Sequence, residues 1–85
     1  MKNNSVQNWS SQLGCQSIDF EFGNTVKSLR KKETISQEKL ALLAKIDRTH
    51  MGHIERGNVS PSLKTMNQIA LALGVTLGRL LSDQQ

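Results

Sequence analysis

An all-α fold of five short helices is what this 85-residue chain predicts. Three observations carry that reading. Apolar residues recur at three- and four-residue spacing along several stretches. Ser, Thr or Asp stands just ahead of most of those stretches, where an N-cap is needed. Gly closes two of them, as a left-handed terminator does. No stretch makes a convincing strand.

Residues 1–19 read as a polar arm, rich in Ser, Asn and Gln and lacking the apolar density of a core. Val6, Trp9, Leu13 and Ile18 are scattered through it. Trp9 and Leu13 are four apart, which leaves a short docked helix as the competing reading. Residues 20–83 read as one domain. Its first helix runs from about 20 to 32, with Phe22, Val26 and Leu29 on one face and Lys27, Lys31 and Lys32 on the remaining surface. Thr34-Ile35 connects it to a second helix capped by Ser36. Glu38 suits the dipole in that helix's first turn. Leu40, Ala41, Leu43 and Ala44 are its expected apolar face. Asp47 caps a third helix that stops at Gly57. After the loop Asn58-Val59-Ser60-Pro61, Ser62 caps a fourth, with Leu63, Met66, Ile69, Ala70 and Leu73 at helical spacing and Gly74 at its end. Thr76 caps a last short helix carrying Leu77, Leu80 and Leu81.

Composition narrows the function. Eleven Lys and Arg against seven Asp and Glu give a formal charge of +4, which favours an anionic partner, nucleic acid first. Charge alone does not separate that from a merely soluble basic protein. Three aromatic residues, Trp9, Phe20 and Phe22, are too few for a base-stacking platform. Cys15 is the single cysteine, so no intrachain disulfide or Cys-based zinc site is expected, and the chain suits a reducing cytoplasm. No apolar run is long enough for a membrane span, and the N-terminus lacks a secretion signal's pattern. No cofactor is expected. His50 and His53 lie one turn apart without the further ligands a metal site needs, and no enzyme activity is expected.

The third helix carries the chemistry. At about 100° per residue, Met51, Ile54 and Glu55 fall on one side and Thr49, His53 and Arg56 on the other, with Gly52 beside them. The second side is polar yet has no acid, whereas an ordinary solvated face usually mixes both signs. A plain solvated face remains the alternative. An Arg fork matches the two acceptors on guanine's major-groove edge, and Arg48 is placed for that in the first turn. The unpaired N–H groups at the start of the second helix suit a phosphate, and the Gln37 amide would add a donor. Asn58, Ser60 and Lys64 flank the far end of the third helix as candidates for a second phosphate, with Arg56 beside them. Such contacts fix register and do not read sequence. Gly52 either lets the backbone approach the groove wall or has no role.

Taken together, Leu29-Arg30, Ser36 to Ala41, Ile46 to Thr49, Ile54 to Gly57, Pro61 to Leu63 and Ile69 to Val75 resemble the Cro and phage-repressor type helix-turn-helix family, also called the XRE family. The likeness covers roughly residues 22–83. Within the family, Asp47-Arg48-Thr49 followed by Ile54-Glu55-Arg56-Gly57 looks most like the controller proteins of restriction–modification systems. The resemblance implies a five-helix phage-repressor-like domain whose second and third helices bind DNA. It implies a transcriptional regulator acting as a homodimer on a two-fold symmetric double-stranded operator. Arg48, Thr49, Gly52 and His53 fall on its base-contacting positions and Gln37 on a phosphate-contacting one. Arg30 and Glu55 fall where the family often has a buried ion pair. Two departures stand out: Lys45 occupies the turn position often held by Gly, and Ala44 replaces a long apolar residue.

Leu77, Leu80 and Leu81 are more apolar than so short a helix needs, which marks them for the dimer interface; the alternative is that they only close the core. An activator would also have RNA polymerase as a partner. A different class remains open, an antitoxin-like module that binds another protein through its arm as well as DNA.

Overall fold

The computed structural model describes residues 17–82. The candidate arm residues Val6, Trp9, Leu13 and Cys15 lie outside the described residues. Those described form five helices: α1 (Ser17–Lys32), α2 (Gln37–Ala44), α3 (Arg48–Arg56), α4 (Leu63–Leu73) and α5 (Leu77–Ser82). α1 begins three residues earlier than its periodicity predicts. Asp19, assigned to the arm, is buried in the first turn and accepts the Ser60 hydroxyl at 2.7 and 2.8 Å. A carboxylate there also meets the positive end of the helix dipole.

The expected caps are in place. Ser36 accepts from Lys39 N, Asp47 from Thr49 N and His50 N, Ser62 from Thr65 N, and Thr76 from Arg79 N. The four longer helices also end alike. Thr34, Lys45, Gly57 and Gly74 each adopt positive φ, between 57 and 77°. Each donates its N–H three residues back, and the following residue donates five back, at 2.9–3.2 Å. This is the Schellman closure, which satisfies carbonyls that a helix end leaves bare. After three of these ends the next residue is apolar, Ile35, Ile46 or Val75, and packs on the core. The closure therefore also steers the chain back inward.

Lys45 adopts the left-handed conformation that glycine usually supplies, at φ 60°, ψ 43°. Relief of the side-chain clash in that region is worth roughly 1 kcal/mol. Lys45→Gly is therefore expected to raise the melting temperature by about 4–8 °C. Thermal unfolding followed by circular dichroism checks this; an unchanged or lower midpoint would contradict it.

The core consists of Phe22 and Val26 from α1, Leu40, Ala41 and Ala44 from α2, Met51 and Ile54 from α3, Ile69 and Ala70 from α4, and Leu80 from α5. Ala44, small where a longer side chain was expected, is buried, and Gln68 Nε2 donates to its carbonyl at 2.9 Å, tying α4 to the end of α2. Two expected core residues lie outside. Leu43 and Leu63 are exposed. An eight-residue helix hides only one narrow stripe, here 40, 41 and 44, and Leu63 sits in the first turn of α4, ahead of its packed residues. Leu80, expected at a dimer interface, has no exposed surface and belongs to the core. Leu77 packs against that core, and only Leu81 is exposed.

α1 crosses α3 closely at Gly23. A Cβ there would overlap the Ile54 carbonyl oxygen and stand 2.7 Å from that of Glu55. Just beyond the same end of α3, Gly57 has Phe20 against it, with Phe20 Cα 2.9 Å from where a Cβ would sit. Two glycines thus let α1 grip the back of α3.

Candidate nucleic-acid interface

α3 divides as its periodicity predicts, with one refinement. Met51, Ile54 and Glu55 are buried, while Arg48, Thr49 and Arg56 are exposed and His53 is half-buried. Gly52, expected beside the open polar face, is covered. A methyl group there would stand 3.2 Å from Arg56 Nη1 and 3.5 Å from Gln37 Oε1. Gly52 thus makes room for two side chains to lie across the helix. The nearer neighbour, the Arg56 guanidinium, is the exposed end of a flexible side chain and can swing aside.

Behind this face Glu55 organises three helices. Arg30 Nε donates to Glu55 Oε2 at 2.7 Å and Arg30 Nη2 to Glu55 Oε1 at 3.0 Å. Arg30 Nη1 donates to the Ile35 carbonyl at 3.0 Å, and Gln37 Nε2 to Glu55 Oε1 at 3.1 Å. The Glu55 side chain is only 2% exposed, so its charge is met inside the protein. A carboxylate that faced outward here would repel phosphate. Turned inward and paired bidentately, it leaves the outer side of α3 without an acid.

Gln37, Arg48, Thr49, Gly52 and Arg56 line one open cleft of about 240 Å³. Three expected base-contacting residues thus meet two expected phosphate-contacting ones. His53 joins through Arg56, whose Nη2 lies 3.2 Å from His53 Nδ1. A guanidinium can only donate, so this contact is a hydrogen bond in the tautomer whose Nδ1 accepts and whose Nε2 carries the proton. That nitrogen remains as a donor. Asn58 and Lys64 are exposed. Ser60 is a correction: its hydroxyl is donated to Asp19, and the neighbouring carboxylate makes it a poor seat for a phosphate. Among the described residues no group of three or more His, Asp or Glu is placed to hold a metal. None of the described helices is long and apolar enough to cross a membrane.

The family model for helix-turn-helix domains matches residues 26–80. The chain belongs to the helix-turn-helix family. More closely, it is of the XRE type, and its α2 and α3 are the helix-turn-helix pair. This helix-turn-helix protein is a DNA-binding regulator similar to restriction–modification control proteins. It is 43% identical over 67 residues to the control protein C.MunI of a Mycoplasma species, covering 78% of this chain and 90% of that one. It is 44% identical over 55 residues to the control protein C.BamHI of Bacillus amyloliquefaciens, covering 64% and 68%. The crystal structure of the restriction–modification controller C.AhdI from Aeromonas hydrophila superposes with a TM-score of 0.71 at 35% identity, covering 73% of this chain and 94% of that one.

Gly23 and Gln68 position the site without being marked out by periodicity or charge. For Gly23 the available signal is its mid-helix place, since a glycine there costs helix stability and often marks a close approach. Gln68 offers no signal in the sequence.

Proposed function

We propose that this protein controls restriction–modification genes as a homodimer on a two-fold symmetric operator. Its two α3 helices enter successive major grooves about 34 Å apart. One observation carries the reading: the outer side of α3 presents Arg48, Thr49, His53 and Arg56 without an acid, because Glu55 is turned in and neutralised by Arg30. The likeness to three restriction–modification control proteins supports the choice of target genes. Arg48, Thr49 and His53 read base edges, and Gly52 gives the groove wall close access once Arg56 swings onto a phosphate. The start of α2 with Gln37 seats another phosphate, and Asn58 and Lys64 seat one beyond α3. Leu71 and Leu81, exposed on the last two helices, supply the dimer surface. An operator upstream of a promoter makes the protein an activator that touches RNA polymerase; one that overlaps the promoter makes it a repressor.

Selection of binding sites from random DNA tests this reading. The expected product is a pair of inverted half-sites one helical turn apart; a single asymmetric site would overturn it. On the selected operator, His53→Ala is expected to weaken binding by about 1–3 kcal/mol while leaving random-sequence binding nearly unchanged. Gln37→Ala is expected to weaken both about equally, since it acts on phosphate. Titration of each variant with both DNAs at one salt concentration checks this. Equal losses for His53→Ala would remove it from base readout, and an operator-selective loss for Gln37→Ala would remove its phosphate role.

A further inference from the structure

Arg30 and Arg56 are held in opposite ways. Arg30 is buried and paired with Glu55 through two bonds, at 2.7 and 3.0 Å. Arg56 is exposed in the last turn of α3, and among the described residues no carboxylate pairs with it. Its Nη2 lies 3.2 Å from His53 Nδ1, three residues back. Its Nη1 lies over Gly52, four residues back, 3.2 Å from where a Cβ would stand. The guanidinium is therefore folded back along α3, bridging His53 and Gly52.

That resting place lies in the cleft of about 240 Å³ formed by Gln37, Arg48, Thr49, Gly52 and Arg56, the part of α3 nearest a groove wall in the proposed complex. Gly52 permits the closest approach of the α3 backbone, and the folded-back guanidinium covers it. A layer of atoms one group thick adds about 3.5–4 Å between two surfaces. A hydrogen bond from α3 to a base edge does not stretch that far. Arg56 in this position and a fully seated base edge therefore exclude one another.

The two kinds of DNA act differently on such an arrangement. On random DNA the outward groups, Asn58 and Lys64, can hold phosphates while mismatched base edges keep α3 off the groove floor. Nothing then draws Gly52 onto the groove wall, and the guanidinium keeps its seat. Matched base edges draw α3 in and take that seat. A single bond to an exposed, neutral ring is a weak hold. A phosphate brought near by the closer approach accepts the Arg fork in two charge-assisted bonds.

We propose that Arg56 is a latch that helps the protein tell its operator from random DNA. On random DNA it stays folded over Gly52 against His53; on the operator it leaves for a phosphate and the groove wall takes its place. This rests on the reading of α3 as the helix that enters the groove. Arg56 thereby adds a phosphate contact that only a matched sequence can claim.

The test is the salt dependence of binding. Wild type and Arg56→Ala are titrated at several salt concentrations with random DNA and with the tightest sequence that selection returns. Arg56 is exposed, and circular dichroism confirms that the variant keeps its fold. On the selected site the slope of log affinity against log salt should become shallower in the variant by about 0.9 per bound copy. On random DNA the two slopes should agree. A loss of slope on random DNA as large as on the selected site would overturn the proposal, since Arg56 would then hold phosphate in both complexes. No loss on the selected site would overturn it too, since the latch would never open. A second readout needs no DNA. In the long-range proton–nitrogen spectrum of the free protein, Arg56→Ala should shift the His53 Nδ1 signal; an unmoved signal would show that nothing is latched. An asymmetric selected site would overturn the homodimer reading and leave the slope comparison, counted per bound copy, intact.

Discussion

Glu55→Ala is expected to cost roughly 3–5 kcal/mol of folding stability, because it leaves the Arg30 guanidinium buried without its counter-charge. Small domains hold only about 5–15 kcal/mol in total, so this variant would be partly unfolded at ordinary temperatures. The cost lies in the orphaned charge and not in the bond alone. Arg30 is buried and would keep a single neutral acceptor, the Ile35 carbonyl. Replacing both partners with apolar residues, Arg30→Met with Glu55→Leu, should therefore cost much less than Glu55→Ala. Gln37→Ala removes one neutral donor from the same carboxylate and should cost only about 0.5–1.5 kcal/mol. Denaturant unfolding of the four proteins checks the order. A Glu55→Ala midpoint equal to wild type would show that the pair does not hold α1 to α3.

Gly23→Ala is expected to be nearly as damaging, although alanine is the better helix former. The gain in helix propensity is about 1 kcal/mol. Against it, the new methyl would meet the main-chain carbonyls of Ile54 and Glu55. Backbone in a packed helix cannot turn away as a side chain does, so α1 must shift off α3. Overpacking of this kind costs typically 1–3 kcal/mol, and the loss should sit at the upper end. The same shift would stretch the Arg30–Glu55 pair, which spans the same two helices. Unfolding midpoints and operator affinity should fall together. A variant more stable than wild type would mean that the two helices are not held at this separation.

Gly23 also shows where reading the sequence stops. The caps at Ser36, Asp47, Ser62 and Thr76, and the stops at Gly57 and Gly74, are legible because each acts within three to five residues of itself. The inward side of α3 is legible because Met51, Ile54 and Glu55 share a period. What could not be read depends on which helix arrives opposite. Gly23 matters only because Ile54 and Glu55 cross over it. Leu43 and Leu63 fit an apolar pattern but stay exposed. Ser60 looks like a free hydroxyl until Asp19, 41 residues away, is brought beside it. Gly52 looks open until Arg56 and Gln37 lie across it. For the site, residue types and their side of the helix came from local rules, and the cover over Gly52 came from tertiary packing.

Arg48 and Thr49 stand exposed at the head of α3, where Asp47 supplies the cap and Met51 and Ile54 supply the anchorage. Their side chains hold up nothing in the core. Substitutions there are nearly free to the fold, so if these two positions read bases as proposed, a lineage could explore new operators at them without first acquiring spare stability. His53 and Arg56 are less free, since each is the other's contact and a change in one alters the setting of its neighbour. Divergence of target sequence among relatives should therefore begin at Arg48 and Thr49, and proceed at His53 and Arg56 as a linked pair.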